Sequence, residues 1–213
     1  MNKNRIRYRQ LDYTMDEFQD ELGEWDIPNR GCGPTSIAII LTNYGIKKDP
    51  IELVKKIIVD KNGNFDNTYL KPKGIAPDGL IYCLNRLINE DEINIEYESV
   101  KIDFNNPEEQ KQQIINNIKN GNMAIIHVGP KDGYEKYEGT FSQNGHYLVV
   151  SDIDEENNFY VINPNIIGDE QIGVPFSYEV LIREIYGRKE SFNFLFIKRV
   201  SWFKIIFHFI DKE

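Results

Sequence analysis

Gly31-Cys32-Gly33-Pro34-Thr35-Ser36-Ile37-Ala38-Ile39-Ile40-Leu41-Thr42-Asn43-Tyr44-Gly45 is the stretch that decides the fold. Its proline suits the first turn of a helix, and its last glycine suits a stop. Between them Ile37, Ile40, Leu41 and Tyr44 fall at i, i+3, i+4 and i+7. Ala38 and Ile39 widen the apolar stripe, so the spacing predicts a deeply buried helix. A cysteine between two glycines sits just before the helix start, with the next residue beginning the helix. Helix N-terminal amides and the macrodipole stabilise a thiolate there. The glycines allow close approach of a substrate backbone. On this stretch alone two readings of Cys32 stand level: an activated thiol, or an inert cysteine buried in a tight turn.

Working outward, residues 1–31 are polar and aromatic and read mainly as loop. Asp49-Pro50 opens a second helix with Ile51, Val54, Ile57 and Ile58 inward. A Gly/Asn-rich loop spans roughly 62–76. Pro77 opens a third helix to about Ile88, with Leu80, Leu84, Leu87 and Ile88 on one face. Asn106-Pro107-Glu108 starts a fourth, ending near Gly121. Then the character changes. Met123–Val128 (MAIIHV), His146–Ile153 (HYLVVSDI), Phe159–Ile162 (FYVI) and residues 192–197 read as strands. The acidic gap 154–158 reads as a hairpin loop. Helices followed by a mostly antiparallel sheet predict an α+β fold with a cleft between the two halves.

Composition sets the bounds. The chain has 213 residues, 40% of them apolar and 28% charged, which suits one globular domain, or one domain with an added arm. Lys and Arg total 25 against 34 Asp and Glu, a formal charge of −9 that repels phosphate backbones and argues against nucleic-acid partners. Two cysteines make neither a disulfide framework nor a four-ligand zinc site, so no metal or cofactor is expected. Cys83, among apolar neighbours on the third helix, reads as structural. The N-terminus lacks the apolar run of a signal peptide, and no segment reaches the ~18 apolar residues of a membrane span, so a cytoplasmic location is expected.

The chain divides into a domain over residues 1–200 and an aromatic, basic tail over 201–213. Trp202, Phe203, Ile205, Ile206, Phe209 and Ile210 can form an apolar face there. Docking on the domain or a final strand is favoured, with dimerisation or contact with a membrane surface as alternatives. Nothing in the sequence speaks to oligomeric state.

An activated thiol needs a base. Of the three histidines, His146 follows Gly145 at the start of an apolar strand, a good place to face a cleft. His127 lies inside an apolar run and reads as a core or sheet-face residue. His208 lies in the tail without an evident partner. Asn163 follows the FYVI strand and precedes Pro164, where it can accept the imidazole N–H and fix its tautomer. Asn-Pro-Asn also reads as a simple turn. The order Cys, helices, Gly-His, strand, Asn-Pro is the stronger signal.

In this arrangement GCGPTSIAIILTNYG, GTFSQNGHYLVV and FYVINPN resemble the papain-like peptidases related to the bacteriocin-processing, double-glycine-leader peptidases. The resemblance covers roughly residues 8–166. It implies a papain-like fold, with helices packed on the sheet and the active site in the cleft. It also implies hydrolysis of a peptide or amide bond through a thioester, with Cys32 as nucleophile, His146 as base and Asn163 as orienter. Asn163 stands where the family usually has Asp. The resemblance further implies a glutamine upstream of the cysteine in the oxyanion hole. Gln10, in Gln10-Leu11-Asp12-Tyr13, matches that stretch better than its competitor Gln19. The implied partner is a peptide or small amide substrate. Two alternatives stand beside this reading: acyl transfer or amidase chemistry on a non-peptide, and a peptide-binding module without activity. Tyr134, Tyr137 and Phe141, in the loop before His146, either meet substrate or pack the loop.

Overall fold

The computed structural model describes residues 8–103, 106–129, 141, 145–165, 175–185 and 192–200. The tail over 201–213 with His208, and Tyr134 and Tyr137 of the loop before His146, lie outside the described residues.

The predicted central helix is α3, Cys32–Asn43, preceded by the one-turn helices α1 (Gln19–Leu22) and α2 (Ile27–Arg30). Its Ile37, Ala38, Ile39, Ile40 and Leu41 are all fully buried. Each such Ile or Leu contributes roughly 1.5–3 kcal/mol by burial. It ends in a Schellman motif: Ile46 N–H donates to Leu41 O (2.9 Å), and Gly45 N–H donates to Thr42 O (3.0 Å). That motif needs a left-handed residue, which Gly45 supplies with φ +82°.

Helix α4, Pro50–Ile58, opens with a capping box between Asp49 and Glu52. Helix α5, Pro77–Glu90, runs one turn's fraction further than expected. The presumed loop between them hides a two-stranded hairpin, β1 (Leu70–Lys71) with β2 (Gly74–Ile75). Strands this short carry too little periodicity to read.

The main sheet is antiparallel throughout. It contains β3 (Ile95–Val100), β4 (Met123–Val128), β5 (His146–Ile153), β6 (Phe159–Ile162), β7 (Pro175–Phe176) and β8 (Phe194–Arg199). Their order is β3-β8-β4-β5-β6-β7, so the last strand slots between the first two. Met123, Ile125, Tyr147, Val149, Leu195 and Ile197 join the core built on α3, α4 and α5. Ala124, Ile126, Val128, Leu148, Val150 and Phe196 face the opposite way, against α6 (Pro107–Lys119) and α7 (Tyr178–Ile185). Both faces are therefore covered. That is why MAIIHV is apolar throughout instead of alternating. Among the described residues, no helix is long and apolar enough to cross a membrane.

Tyr44 locks the central helix to the sheet. Its hydroxyl donates to Ile197 O (2.7 Å) and accepts from Met123 N–H (2.9 Å). Tyr44→Phe leaves both buried groups short of a partner. It is expected to lower unfolding free energy by about 1–3 kcal/mol in urea titration; an unchanged midpoint would show that the hydroxyl holds nothing.

Candidate active site

Cys32 opens α3, with Gly31 as the helix cap. The cysteine is thus the first helical residue rather than the residue before the helix. Its sulfur still faces the N-terminal amides, and the backbone N–H groups of Gly33 and Tyr147 hydrogen-bond it. Gly33 is required by packing. A Cβ there would lie 2.8 Å from Leu80 Cδ2 and 3.2 Å from Tyr147 Cδ2. Protein side chains, rather than a substrate backbone, fill the space that glycine leaves.

His146 begins β5 and meets Cys32 by a side-chain hydrogen bond. Asn163 follows β6, the strand that pairs with β5. His146 Nε2 lies 2.8 Å from Asn163 Oδ1, and Asn165 N–H donates to the same oxygen at 2.9 Å. A backbone N–H can only donate, so the amide end facing it is oxygen. His146 Nε2 must therefore carry a proton toward Asn163, which leaves Nδ1 to meet the Cys32 thiol.

The electrostatics follow from this pairing. Burial pushes the Cys32 thiol up, but the charge of His146, its hydrogen bond, and the N–H groups of Tyr147 and Gly33 outweigh it. The thiol is held below its ordinary value. Burial alone would lower the His146 pKa. The Cys32 charge, the Cys32 hydrogen bond and the Asn163 hydrogen bond raise it above the ordinary imidazole value. Opposite shifts of two partners favour a thiolate facing an imidazolium. Cys83 has no such partner. Burial pushes its thiol up to about 12, and both cysteines are free.

Gln10 sits in a single 3-10 turn, Gln10–Asp12, and is 2% exposed. Its N–H donates to Pro164 O (2.8 Å), one residue past Asn163. Its Nε2 donates to Pro28 O (2.7 Å), four residues before Cys32. Gln19 is exposed on α1. Gln10 is therefore the glutamine tied to both sides of the site.

His127 lies on β4 opposite Tyr147 and stacks on its ring at 4.3 Å, as a sheet-face residue. Phe141 is buried and packs edge-on against Phe176 at 4.8 Å. The hairpin of β1 and β2 flanks the site, unforeseen in the sequence. Trp25 Nε1 donates to Gly74 O and Tyr147 hydroxyl donates to Ile75 O, both at 3.2 Å. Among the described residues, no group of three His, Cys, Asp or Glu could hold a metal.

A buried cysteine at the start of a central helix, facing a histidine and an amide from an antiparallel sheet, is the arrangement of the papain-like fold. The chain matches the Peptidase_C39 like family over residues 7–179 and belongs to that family. Among solved structures it is similar to a protein from Bacillus anthracis described as a C39-like peptidase. The TM-score is 0.56 at 18% identity, over 94% of this chain and 96% of that one. It is also similar to the peptidase domain of Streptococcus ComA, a bi-functional ABC transporter of a quorum sensing pathway. There the TM-score is 0.46 at 17% identity, over 80% of this chain and 93% of that one. No curated protein matches the chain.

Proposed function

We propose that this protein is a cysteine peptidase that hydrolyses a peptide or amide bond through Cys32, His146 and Asn163. The observation that carries the reading is that His146 has two partners, the Cys32 thiol and Asn163 Oδ1, the latter 2.8 Å from its Nε2. The Cys32 thiolate adds to the acyl carbon, and the carbonyl electron pair moves to oxygen. The Cys32 backbone N–H and the Gln10 side-chain amide hold that oxyanion. The imidazolium gives its proton to the leaving amine, which departs as the thioester forms. Water, deprotonated by His146, then attacks the thioester, and Cys32 leaves as thiolate. No cofactor enters.

The test is to incubate the protein with a mixed-sequence peptide library and look for new termini by mass spectrometry. Cleavage products that vanish in Cys32→Ala, together with a trapped acyl adduct on Cys32, are expected. A library left intact would contradict peptide hydrolysis.

A further inference from the structure

Resting on that reading, we propose that Asp26 is a positioning residue for the oxyanion hole. Helix α2 has four residues, too few to persist on intrinsic propensity. Asp26 caps it twice. Asn29 N–H donates to Oδ1 at 2.8 Å, and Asn29 Nδ2 donates to Oδ2 at 2.7 Å. The Asp26 carbonyl also accepts from Arg30 N–H at 3.0 Å.

Both donors of the oxyanion hole depend on this one turn. On one side, Pro28 O accepts from Gln10 Nε2 at 2.7 Å. Gln10 Oε1 is buried and has no hydrogen-bond partner among the described residues, so the Pro28 carbonyl sets which way the amide points. On the other side, Gly31 closes α2 and caps α3, which places Cys32. Gly31 N–H donates to Ile27 O (2.8 Å), while Gly31 O accepts from Thr35 N–H (3.0 Å). The corner is tight: a Cβ on Gly31 would lie 2.6 Å from Ile27 Cγ2.

A continuous helix would offer the Pro28 carbonyl to the Cys32 N–H four residues on. Here that carbonyl accepts from Gln10, and the chain turns at Gly31. Loosening α2 frees the Gln10 amide and tilts the Cys32 N–H together. It leaves the contacts of Cys32 with His146 and Tyr147, which come from β5, in place.

Two reactions separate these effects. A peptide aldehyde adds to the Cys32 thiolate, and its carbonyl electron pair becomes an oxyanion in the hole. Iodoacetamide alkylates the same sulfur by displacing iodide and puts no charge on oxygen. Asp26→Ala is expected to weaken inhibition by a panel of N-acetyl dipeptide aldehydes about ten- to a hundredfold. Alkylation of Cys32 should stay within about twofold, because the thiolate is held by His146. Asp26→Asn keeps the Oδ1 acceptor and should restore aldehyde binding. In a Gln10→Ala background, adding Asp26→Ala should cost less than it does alone. The Asp26 assignment is overturned if aldehyde binding is unchanged, or if alkylation falls in step with it. An unaltered protein that binds none of the aldehydes overturns the peptidase reading beneath it as well.

Discussion

Cys32→Ala is expected to abolish peptide hydrolysis and leave the fold intact. The reason lies in what the sulfur does and does not touch. Its close partners are His146 and two backbone N–H groups, all serving the thiolate. Removing one sulfur at the first position of α3 vacates little core volume, since the helix is held by Ile37, Ile39, Ile40 and Leu41. The fall in turnover should be on the order of 10⁴-fold or more, because the residues of such a site act as a unit. The shift in stability should stay within roughly 1 kcal/mol, typical of a minor truncation. Hydrolysis measured beside a thermal melt checks both. Residual turnover near the unaltered level would remove Cys32 from the chemistry.

His146→Ala is expected to cost nearly as much as Cys32→Ala, and Asn163→Ala clearly less. In the proposed reaction His146 takes the thiol proton and later delivers one to the amine, and nothing would replace it there. Asn163 fixes the ring through one hydrogen bond of 2.8 Å and carries no charge. Losing it frees the ring to rotate and releases the N–H, for an expected loss of about 10- to 100-fold in kcat. Asn163→Asp keeps an oxygen for both His146 and the Asn165 N–H and adds a negative charge beside the imidazolium. That raises the His146 pKa further, so the alkaline limb of the pH–rate profile should move to higher pH. Equal losses in His146→Ala and Asn163→Ala would mean that Asn163 does more than orient the ring.

How far these residues could be read in advance follows from their physics. The central helix was legible because its apolar run, proline and closing glycine agree with one another. The strand of Met123–Val128 was legible as a strand, and its lack of alternation already carried the second helical layer that α6 and α7 supply. The strand Ile95–Val100 was missed although Ile95, Tyr97 and Ser99 alternate with Glu96 and Glu98. Its place beside β8 depends on a pairing across about a hundred residues, which no local pattern records. Helix α7 was missed because eight residues hold barely two turns.

Within the site, Cys32 and His146 announced themselves by glycine neighbours and position. Gln10 did not. The role proposed for it depends on hydrogen bonds to Pro28 and Pro164, and only its resemblance to a known motif pointed to it. The β1–β2 hairpin carried no readable signal, because it acts through backbone carbonyls that any residue possesses. Asp26 caps with its side chain, but the helix it starts has only four residues, too short for a periodic pattern to mark.

The reaction of Cys32 with iodoacetamide as a function of pH probes the activated thiol most directly, with buried Cys83 as the internal control. The Cys32 pKa is lowered, so its thiolate persists below the pH at which an ordinary thiol is protonated. The His146 pKa is raised, so the imidazolium that holds the thiolate persists above the ordinary imidazole range. Labelling of Cys32 alone, still fast at about pH 5.5 and slowed there in His146→Ala, is the expected result. A labelling rate that rises with pH only through the ordinary thiol range, and is indifferent to His146, would contradict it.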